Sequence, residues 1–360
     1  MDQDLFKKLR EIRGCLAHLA VKNEDARRRH AQDKDDDGVW YGLIPPFQLD
    51  VVKASHSKSL RRTMRKTQVV SLPSNAHTRT RGIHEVEVGG TCLLLEPLGL
   101  NQQLLYAAAL VHDNGQGPFG HFCEDFLSRK TGREFRHEVF GVVVAQKIER
   151  RGRGANYTHQ TLDCSIRHSR GTGEMYREEA VLEEASALMY ADKITYLFGD
   201  YNDMFVRGSL TGSKFDIREY PGLFKLMESF GKTQRERTYA CVAQLCLESA
   251  QAGHVSFEKC AAAQRFAEAR KLMYEAYGSI RWDRLEHMLS GVYELLSEVT
   301  KGVDPAVALA LLTEEDVEYI YRHMTRINAN MAECINATAL GDVLRYLPPD
   351  LDFTNPDLGW

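Results

Sequence analysis

Hydrophobic positions recur at the three- and four-residue spacing of amphipathic helices along most of the chain. This spacing puts apolar side chains on one face of a helix, which can then pack against the rest of the protein. The pattern predicts helices over residues 1–30, 49–66, 82–96, 101–113, 120–130, 136–151, 158–168, 178–200, 222–251, 256–298, 304–312 and 314–334. We therefore predict a mainly α protein.

Strand-like segments are few. Only residues 68–72 and 78–80 fit a strand, which predicts one small β-hairpin near 68–80. The β-branched run 141–144 lies inside a longer helical pattern, and we interpret it as helix. No alternation of strands and helices is present, which argues against a parallel sheet.

We divide the chain into three parts. An N-terminal helix with a charged loop spans 1–40, a helical core spans 41–205, and a further C-terminal helical region spans 206–360. The turn-rich segment 201–221 is the best candidate for the link between the last two parts. We expect the C-terminal region to pack on the core and to contribute contacts between subunits.

Composition narrows the classes of function. The 360 residues carry a net charge of −4, so the overall charge does not indicate nucleic acid or an anionic membrane as a partner. The eight cysteines are scattered without a C-x-x-C pair, which favours a reducing compartment. The first residues lack the apolar segment of a signal peptide, and no apolar run reaches the length of a membrane span. We expect a soluble, cytoplasmic protein.

Histidine is concentrated in one part of the chain, with seven of 13 residues between positions 77 and 168. His112 falls on the apolar stripe of an Ala- and Leu-rich helix and is followed by Asp113 and then by Asn-Gly, which ends the helix. A buried imidazole beside a buried carboxylate is costly unless both are paired or bind a metal. A histidine and an aspartate exposed at a helix end are the alternative.

A second carboxylate interrupts the apolar stripe of the helix predicted over 178–200. Asp192, Tyr196 and Asp200 are four residues apart and share one helix face. A buried carboxylate needs a partner, which is either a metal or a hydrogen-bond donor of the protein. Imidazoles with carboxylates form a mixed nitrogen and oxygen site suited to Mn, Mg, Fe, Co or Zn, and such a site can activate water for attack on a phosphoryl group.

A glycine pattern in the same region is misleading. Residues 115–120 match G-x-G-x-x-G, but they lie between two predicted helices, follow no strand and contain a proline. The context needed for a dinucleotide-binding loop is therefore missing.

The string from His112 to Glu124, HDNGQGPFGHFCE, resembles the signature of the HD-superfamily deoxynucleoside triphosphate triphosphohydrolases. This family includes bacterial dGTPases and vertebrate enzymes that join a sterile alpha motif to an HD domain. Further similar segments, in the order of the family, are 59–69, 77–88, His137–Glu138 and 191–196. The resemblance covers about residues 41–205, with an echo at 311–318, and it implies a helical HD core.

The resemblance also implies roles for individual residues. It assigns the divalent metal to His84, His112, Asp113 and Asp192. It places Arg81 and Lys193 on the triphosphate, and it makes His121, oriented by Glu124, the acid/base group, with His137 near the phosphates. It places Gln68 and Asp200 on the sugar 3′-hydroxyl and Tyr196 under the sugar at C2′.

The implied reaction is attack by a metal-bound hydroxide on the α-phosphorus of a deoxynucleoside triphosphate, with dGTP as the candidate preferred substrate. The products are deoxynucleoside and inorganic triphosphate. The implied partners are the substrate, an allosteric nucleotide, and further copies of the chain in a hexamer or tetramer.

Two alternatives stay open because the sequence departs from the family pattern. Gln116 replaces the histidine that follows H-D-x-G, and Glu85 follows His84 where the family has serine. Another HD phosphohydrolase, such as a nucleotidase or an alarmone or cyclic-nucleotide hydrolase, is the first alternative. A nucleotide-sensing protein with weakened catalysis is the second.

Overall fold

The computed structural model describes residues 3–30, 37–69, 75–169, 181–206, 216–278, 283–300, 302–324 and 330–360. Its helices confirm the predicted mainly α fold. They are α1 Gln3–Glu11, α2 Pro46–Ser55, α3 Lys58–Thr63, α4 Arg81–Leu93, α5 Gln102–Ala109, α6 His121–Thr131, α7 His137–Val143, the single turn α8 Glu149–Gly152, α9 His159–Ile166, α10 Glu183–Tyr201, α11 Pro221–Phe230, α12 Gln234–Ala252, α13 Ala261–Tyr277, α14 Asp283–Val299, α15 Pro305–Ala310, α16 Glu314–Met324 and α17 Met331–Asn336.

The β-hairpin predicted near 68–80 is not seen. Thr67 and Thr80 form one isolated antiparallel bridge, and residues 70–74 lie outside the described residues. Thr80 is the N-cap of α4, because its side chain accepts a hydrogen bond from the backbone N–H of Ile83. The chain therefore enters a helix directly after the bridge instead of continuing as a strand.

Several long helices predicted from periodicity are divided by capping residues. The helix predicted over 1–30 ends at Glu11, and the one predicted over 49–66 is interrupted at Ser57, whose side chain caps α3. The pattern over 222–251 forms two helices, because Gly231 has φ 148° and Thr233 starts α12 with a capping box to Glu236. Periodicity continues across such breaks, so it does not reveal them.

Helix α10 is the centre of the fold, since all 19 of its residues are buried. It belongs to an apolar cluster that also includes Leu16, Val88, Leu105 and Phe266. Polar side chains on a helix of this kind cannot reach bulk water and must find partners inside the protein. Asp192 and Asp200 lie on α10, so their partners determine what the site can do.

A second apolar cluster joins α6 and α7 to the C-terminal helices. Its members include Phe126 and Phe140 from the first part and Leu289, Leu309 and Ile320 from the second. The helices after residue 206 thus contribute to both clusters. Within the described ranges, no helix has both the length and the apolar composition needed to cross a membrane.

Candidate active site

Three segments bring the four predicted metal ligands together. His84 lies on α4, His112 and Asp113 lie in the turns after α5, and Asp192 lies on α10. His84 Nε2 is 2.9 Å from Asp192 Oδ1. His112 Nε2 is 3.6 Å from Asp113 Oδ2 and 3.7 Å from Asp192 Oδ1. All four side chains are buried.

The loop that follows α5 is held in place by close backbone packing. A Cβ at Gly115 would lie 2.0 Å from the carbonyl oxygen of His137, so only glycine fits this position. Phe119 and Gly120 then take φ values of 63° and 59° before α6 begins at His121. The loop therefore places Asp113 close to α7, and it places His121 at a cavity that Asp113 also lines.

The protonation states of the ligand set suit a divalent cation. His112 Nδ1 lies 2.7 Å from the carbonyl oxygen of Ala109 and donates to it, so Nε2 carries the lone pair, and this buried atom has no hydrogen-bond partner. Burial lowers the pKa of His112 to about 3, which keeps the ring neutral. An orphaned buried imidazole nitrogen facing two carboxylates fits a metal.

The two carboxylates stay ionised in spite of their burial. Burial alone would raise the pKa of Asp113, but the positive charge of Arg81 is the largest of the effects that outweigh it and hold that pKa well below its usual range. For Asp192 the same burial is outweighed by Lys193 and by the hydrogen bond from His84, so its pKa is also well below the usual range. These two carboxylates and the imidazoles of His84 and His112 are the predicted donor set.

Arg81 and Lys193 contact the carboxylates of this set directly. Arg81 Nη1 is 2.8 Å from Asp113 Oδ2, and Lys193 Nζ is 3.0 Å from Asp192 Oδ2. Arg81 also donates to the backbone oxygen of Gln68 at 3.1 Å. Both cations therefore stand beside the predicted metal position, where they can contact a polyphosphate.

Glu124 contacts a different histidine from the one assigned to it by resemblance. Its Oε1 is 2.9 Å from His137 Nδ1, whereas the sequence comparison paired it with His121. Burial alone would raise the pKa of Glu124, but His137 and His121 lower it to about 2. Burial alone would lower the pKa of His137, but Glu124 raises it to about 9. His121 lies close by, with its ring centroid 5.7 Å from that of His137.

The resemblance assigns Gln68, Tyr196 and Asp200 to the sugar. The contacts that hold Tyr196 and Asp200 in place were not predicted from the sequence. The Tyr196 hydroxyl accepts from Arg270 Nε at 2.8 Å and is 3.3 Å from the Tyr274 hydroxyl. Asp200 accepts from Tyr277 at 2.7 Å and is paired with Arg79. Gln68 Oε1 is buried and has no hydrogen-bond partner.

These groups line one cavity of about 510 Å³. Ten of the twelve predicted site residues line this cavity. Of the other two, His112 belongs to the cluster with His84 and Asp192, and Glu124 contacts His137. The lining also includes Tyr274 and Tyr277 from α13, which sequence analysis missed. Nothing in their local sequence marks them, because they reach the cavity only through the packing of α13 on α10.

His168 is a further residue without a role in the sequence analysis. Its Nε2 lies 3.2 Å from His137 Nε2 and 3.7 Å from Asp113 Oδ1. The only signal in the sequence was its place among the seven clustered histidines. The site thus contains one more buried imidazole than the resemblance implied.

Residues of the C-terminal helices form hydrogen bonds with the segments that carry the site. Glu314 Oε1, at the start of α16, accepts from the backbone N–H groups of Thr67 at 2.9 Å and Phe119 at 2.6 Å. The buried Lys66 donates to the backbone oxygens of Gln116 and Ala310, the second at 2.7 Å. The Gln116 side chain is buried with neither of its polar atoms hydrogen-bonded.

Comparisons with known proteins agree with this geometry. The family model described as HD domain matches residues 81–197, which include all four predicted metal ligands. A deoxyguanosinetriphosphate triphosphohydrolase-like protein of Clostridium tetani is 34% identical over 191 residues, which is 53% of each chain. Proteins with the same description from Clostridium perfringens and Agrobacterium fabrum are 38% and 33% identical, over 46% and 50% of this chain and 48% and 51% of theirs.

The chain spans about half the length of these curated relatives. The stretch matched by the family model includes the cavity residues Arg81, His84, His121 and Asp192. Residues 81–197 match the family model of the HD domain, and over about half of its length the chain is similar to deoxyguanosinetriphosphate triphosphohydrolase-like proteins.

Proposed function

We propose that this protein is a metal-dependent phosphohydrolase that converts deoxynucleoside triphosphates to deoxynucleoside and inorganic triphosphate. The observation that carries the proposal is the cluster of His84, His112, Asp113 and Asp192 beside a cavity that Arg81 and Lys193 also line. A bound divalent cation would polarise a phosphoryl oxygen and lower the pKa of a water molecule.

The cationic side chains would bind the triphosphate. Arg81 offers a planar guanidinium, which suits two phosphate oxygens, and Lys193 adds a point charge beside it. His137 carries a proton near neutral pH because its pKa is raised to about 9 by Glu124. It can therefore donate a hydrogen bond to a phosphate oxygen, and Glu124 acts through it as a positioning residue.

His121 would act on the leaving group. It lies at the cavity, and its ring is close to His137. Cleavage between the α-phosphorus and the 5′ oxygen leaves a deoxynucleoside oxygen that needs a proton, and an imidazole at this place can supply it. Without that proton the nucleoside would be a poor leaving group.

The sugar and base would occupy the end of the cavity formed by α10 and α13. Asp200 is already held by Tyr277 and Arg79, so its carboxylate is fixed in place and can accept from a 3′-hydroxyl. Gln68 has an unpartnered oxygen that can do the same. Tyr196 is held by Arg270 and Tyr274, and its ring under C2′ would disfavour ribose.

A nucleotide-sensing protein is the second candidate, and Gln116 is the observation that favours it. A glutamine cannot shuttle a proton as the family's histidine can, and its side chain is buried without a hydrogen-bond partner. This candidate predicts nucleotide binding without turnover.

A product-resolved screen tests the proposal. The purified protein is incubated with each of the four dNTPs and the four NTPs, alone and in mixtures, with Mn²⁺, Mg²⁺ or Co²⁺, and phosphorus NMR identifies the products. We expect tripolyphosphate and deoxynucleoside from at least one dNTP, and faster turnover in mixtures if a second nucleotide activates. Only mono- or diphosphate products would favour another phosphohydrolase, and binding without any product would favour the sensor.

A further inference from the structure

We propose that Glu314, which lies in the C-terminal region outside residues 81–197, is a positioning residue for the substrate-binding groups of the active site. Its side chain holds two separate segments at a fixed distance from each other, so that Gln68, Arg81 and His121 contact the same nucleotide. The proposal rests on the proposed function, because that function gives these three residues their roles.

The Glu314 side chain joins two segments that are far apart in the chain. Its Oε1 atom accepts hydrogen bonds from the backbone N–H of Thr67 at 2.9 Å and from that of Phe119 at 2.6 Å. Only 2% of Glu314 is exposed. Loss of this oxygen would leave two buried N–H donors without a partner, which is costly. One buried oxygen atom therefore determines how the two segments lie relative to each other.

The hydrogen bond to Phe119 controls the entry into α6. Phe119 has φ 63° and Gly120 has φ 59°, and α6 begins at the next residue, His121. A left-handed backbone is unfavourable for a residue with a Cβ and persists only where neighbouring groups hold it. Glu314 holds the backbone of Phe119, and the Phe119 ring is buried in the apolar cluster that includes the C-terminal helices. The place of the His121 imidazole therefore depends on Glu314.

The hydrogen bond to Thr67 controls the segment that carries Gln68 and contacts Arg81. Arg81 Nη2 donates to the backbone oxygen of Gln68 at 3.1 Å, and Arg81 Nε donates to that of Thr67 at 3.4 Å. Thr67 is thus held at its N–H by Glu314 and at its oxygen by Arg81. Gln68 and Arg81 both line the cavity, so a shift of this segment would displace the groups that contact the sugar and the triphosphate.

A second buried contact joins the same two segments to the C-terminal region. Lys66, which precedes Thr67, donates from Nζ to the backbone oxygen of Gln116 and to that of Ala310, the second at 2.7 Å. Ala310 is the last residue of α15, and Glu314 is the first residue of α16. The end of one C-terminal helix and the start of the next therefore both hold the substrate-binding segments.

The acceptor oxygen of Glu314 matters more for this role than its negative charge. Burial raises the pKa of Glu314 above its ordinary value, since it outweighs the hydrogen bonds from Thr67 and Phe119, which lower that pKa. A glutamine has an acceptor oxygen at the same reach and no charge. An aspartate keeps the charge on a side chain that is shorter by one methylene. The two substitutions therefore separate reach from charge.

The predicted metal ligands are not among the partners described for Glu314. Its described hydrogen bonds are to Thr67 and Phe119, and neither residue belongs to the ligand set. A change at Glu314 should therefore alter turnover and sugar recognition while the metal affinity stays at its wild-type value. A role in overall stability alone would lower metal binding and turnover together.

Turnover of dGTP and of 2′,3′-dideoxy-GTP with Mn²⁺ tests the proposal. The wild type should prefer dGTP, because the analogue lacks the 3′-hydroxyl assigned to Gln68. Glu314→Asp should lower kcat for dGTP by about 100-fold, the loss that a displacement of about 1 Å can cause. It should also bring the kcat/KM values of the two nucleotides closer together. Glu314→Gln should retain most of the wild-type kcat and the preference for dGTP.

Glu315→Gln is the matched control, because Glu315 is the next residue and forms an exposed ion pair with Arg65. This variant and Glu314→Asp should both keep the wild-type Mn²⁺ affinity and helical signal. A wild-type kcat in Glu314→Asp, a larger loss in Glu314→Gln than in Glu314→Asp, or equal losses of metal affinity and turnover would overturn the proposal. If Glu314→Asp does not fold, Glu314→Ala takes its place, since it removes the same acceptor without leaving a buried charge, and the same outcomes apply.

The proposed function fails separately if the wild type releases no tripolyphosphate from dGTP or from any other dNTP. The dissociation constants for dGTP and 2′,3′-dideoxy-GTP then test the positioning of Gln68 alone. Their ratio should be closer to one in Glu314→Asp than in the wild type, and an equal ratio in both proteins would overturn the proposal.

Discussion

The orientation of each histidine in the site depends on which of its ring nitrogens already contacts another group of the protein. His112 and His168 use Nδ1 to donate to backbone oxygens, and His137 uses Nδ1 for Glu124. Their Nε2 atoms consequently point toward Asp113 and Asp192. This arrangement explains how buried imidazoles and carboxylates can be present together without a prohibitive cost.

Asp192→Asn should remove most of the metal affinity and the activity. Loss of a group that only orients a ligand typically costs about 10–100-fold in metal affinity, so loss of a direct ligand should exceed about 100-fold. Metal titration and initial rates measure the two effects. Asp342→Asn, at an exposed ion pair with Lys58, is the control and should change neither. Wild-type metal affinity in Asp192→Asn would remove Asp192 from the ligand set.

Sequence predicted the ligand candidates but not their contacts. His112, Asp113 and Asp192 were found because polar residues interrupted apolar stripes, and His84 was added by resemblance. The contact of Glu124 with His137 was not predicted from the sequence, since His121 and His137 are both near Glu124 and only the fold decides which ring it contacts. His168, Tyr274 and Tyr277 were missed because they come to the site from distant segments.

At the scale of helices, breaks and caps determine the geometry more than periodicity does. The loop that carries Asp113 begins where α5 ends at Ala109, four residues before the predicted end of that helix. The π-helical turn at 144–148 follows α7 in the segment predicted as one regular helix. Such features depend on single residues and on packing, which a hydrophobic pattern averages out.

Glu248 joins α12 to the start of α13 and provides a test at this scale. Its carboxylate accepts from the backbone N–H groups of Glu258, Lys259 and Cys260 and from the Ser256 hydroxyl. Glu248→Gln should therefore lower the free energy of unfolding by about 1–3 kcal/mol, measured by urea denaturation. Glu286→Gln, in an exposed ion pair with Arg129, is the control and should have little effect.

The contribution of Glu248 also has a defined pH dependence. Burial alone would raise its pKa, but the backbone hydrogen bonds lower it from 4.5 to about 2. A carboxylate with a lowered folded-state pKa stabilises the protein fully above its unfolded pKa and loses that effect as the pH falls through the folded value. The difference between wild type and Glu248→Gln should shrink from pH 5 to pH 2, and a constant difference would contradict this account.

At the scale of the whole molecule, the C-terminal helices pack against helices that carry residues of the site. They share an apolar cluster with α6 and α7, and Glu314 holds the backbone of Thr67 and Phe119. Sequence alone suggested a boundary near residue 206 from turn-rich composition, but composition does not show which apolar faces meet. We propose that the core and the C-terminal region unfold together.

Leu289→Ala tests this proposal, because Leu289 is fully buried in the cluster that joins the two parts. The cavity left behind should cost about 2–5 kcal/mol. Loss of helical signal and loss of bound metal should occur at the same lowered denaturant concentration. Leu93→Ala, at a half-exposed position, is the control. Metal release at the wild-type midpoint would show that the site unfolds independently.

The central claim is that the cation held by His84, His112, Asp113 and Asp192 serves hydrolysis at the α-phosphorus. Turnover of a dNTP in ¹⁸O-water tests it most directly. Attack at this phosphorus breaks its bond to the 5′ oxygen, so the label should enter tripolyphosphate and be absent from the deoxynucleoside, and Asp192→Asn should form neither product. Label in the deoxynucleoside, or in mono- or diphosphate alone, would contradict the account.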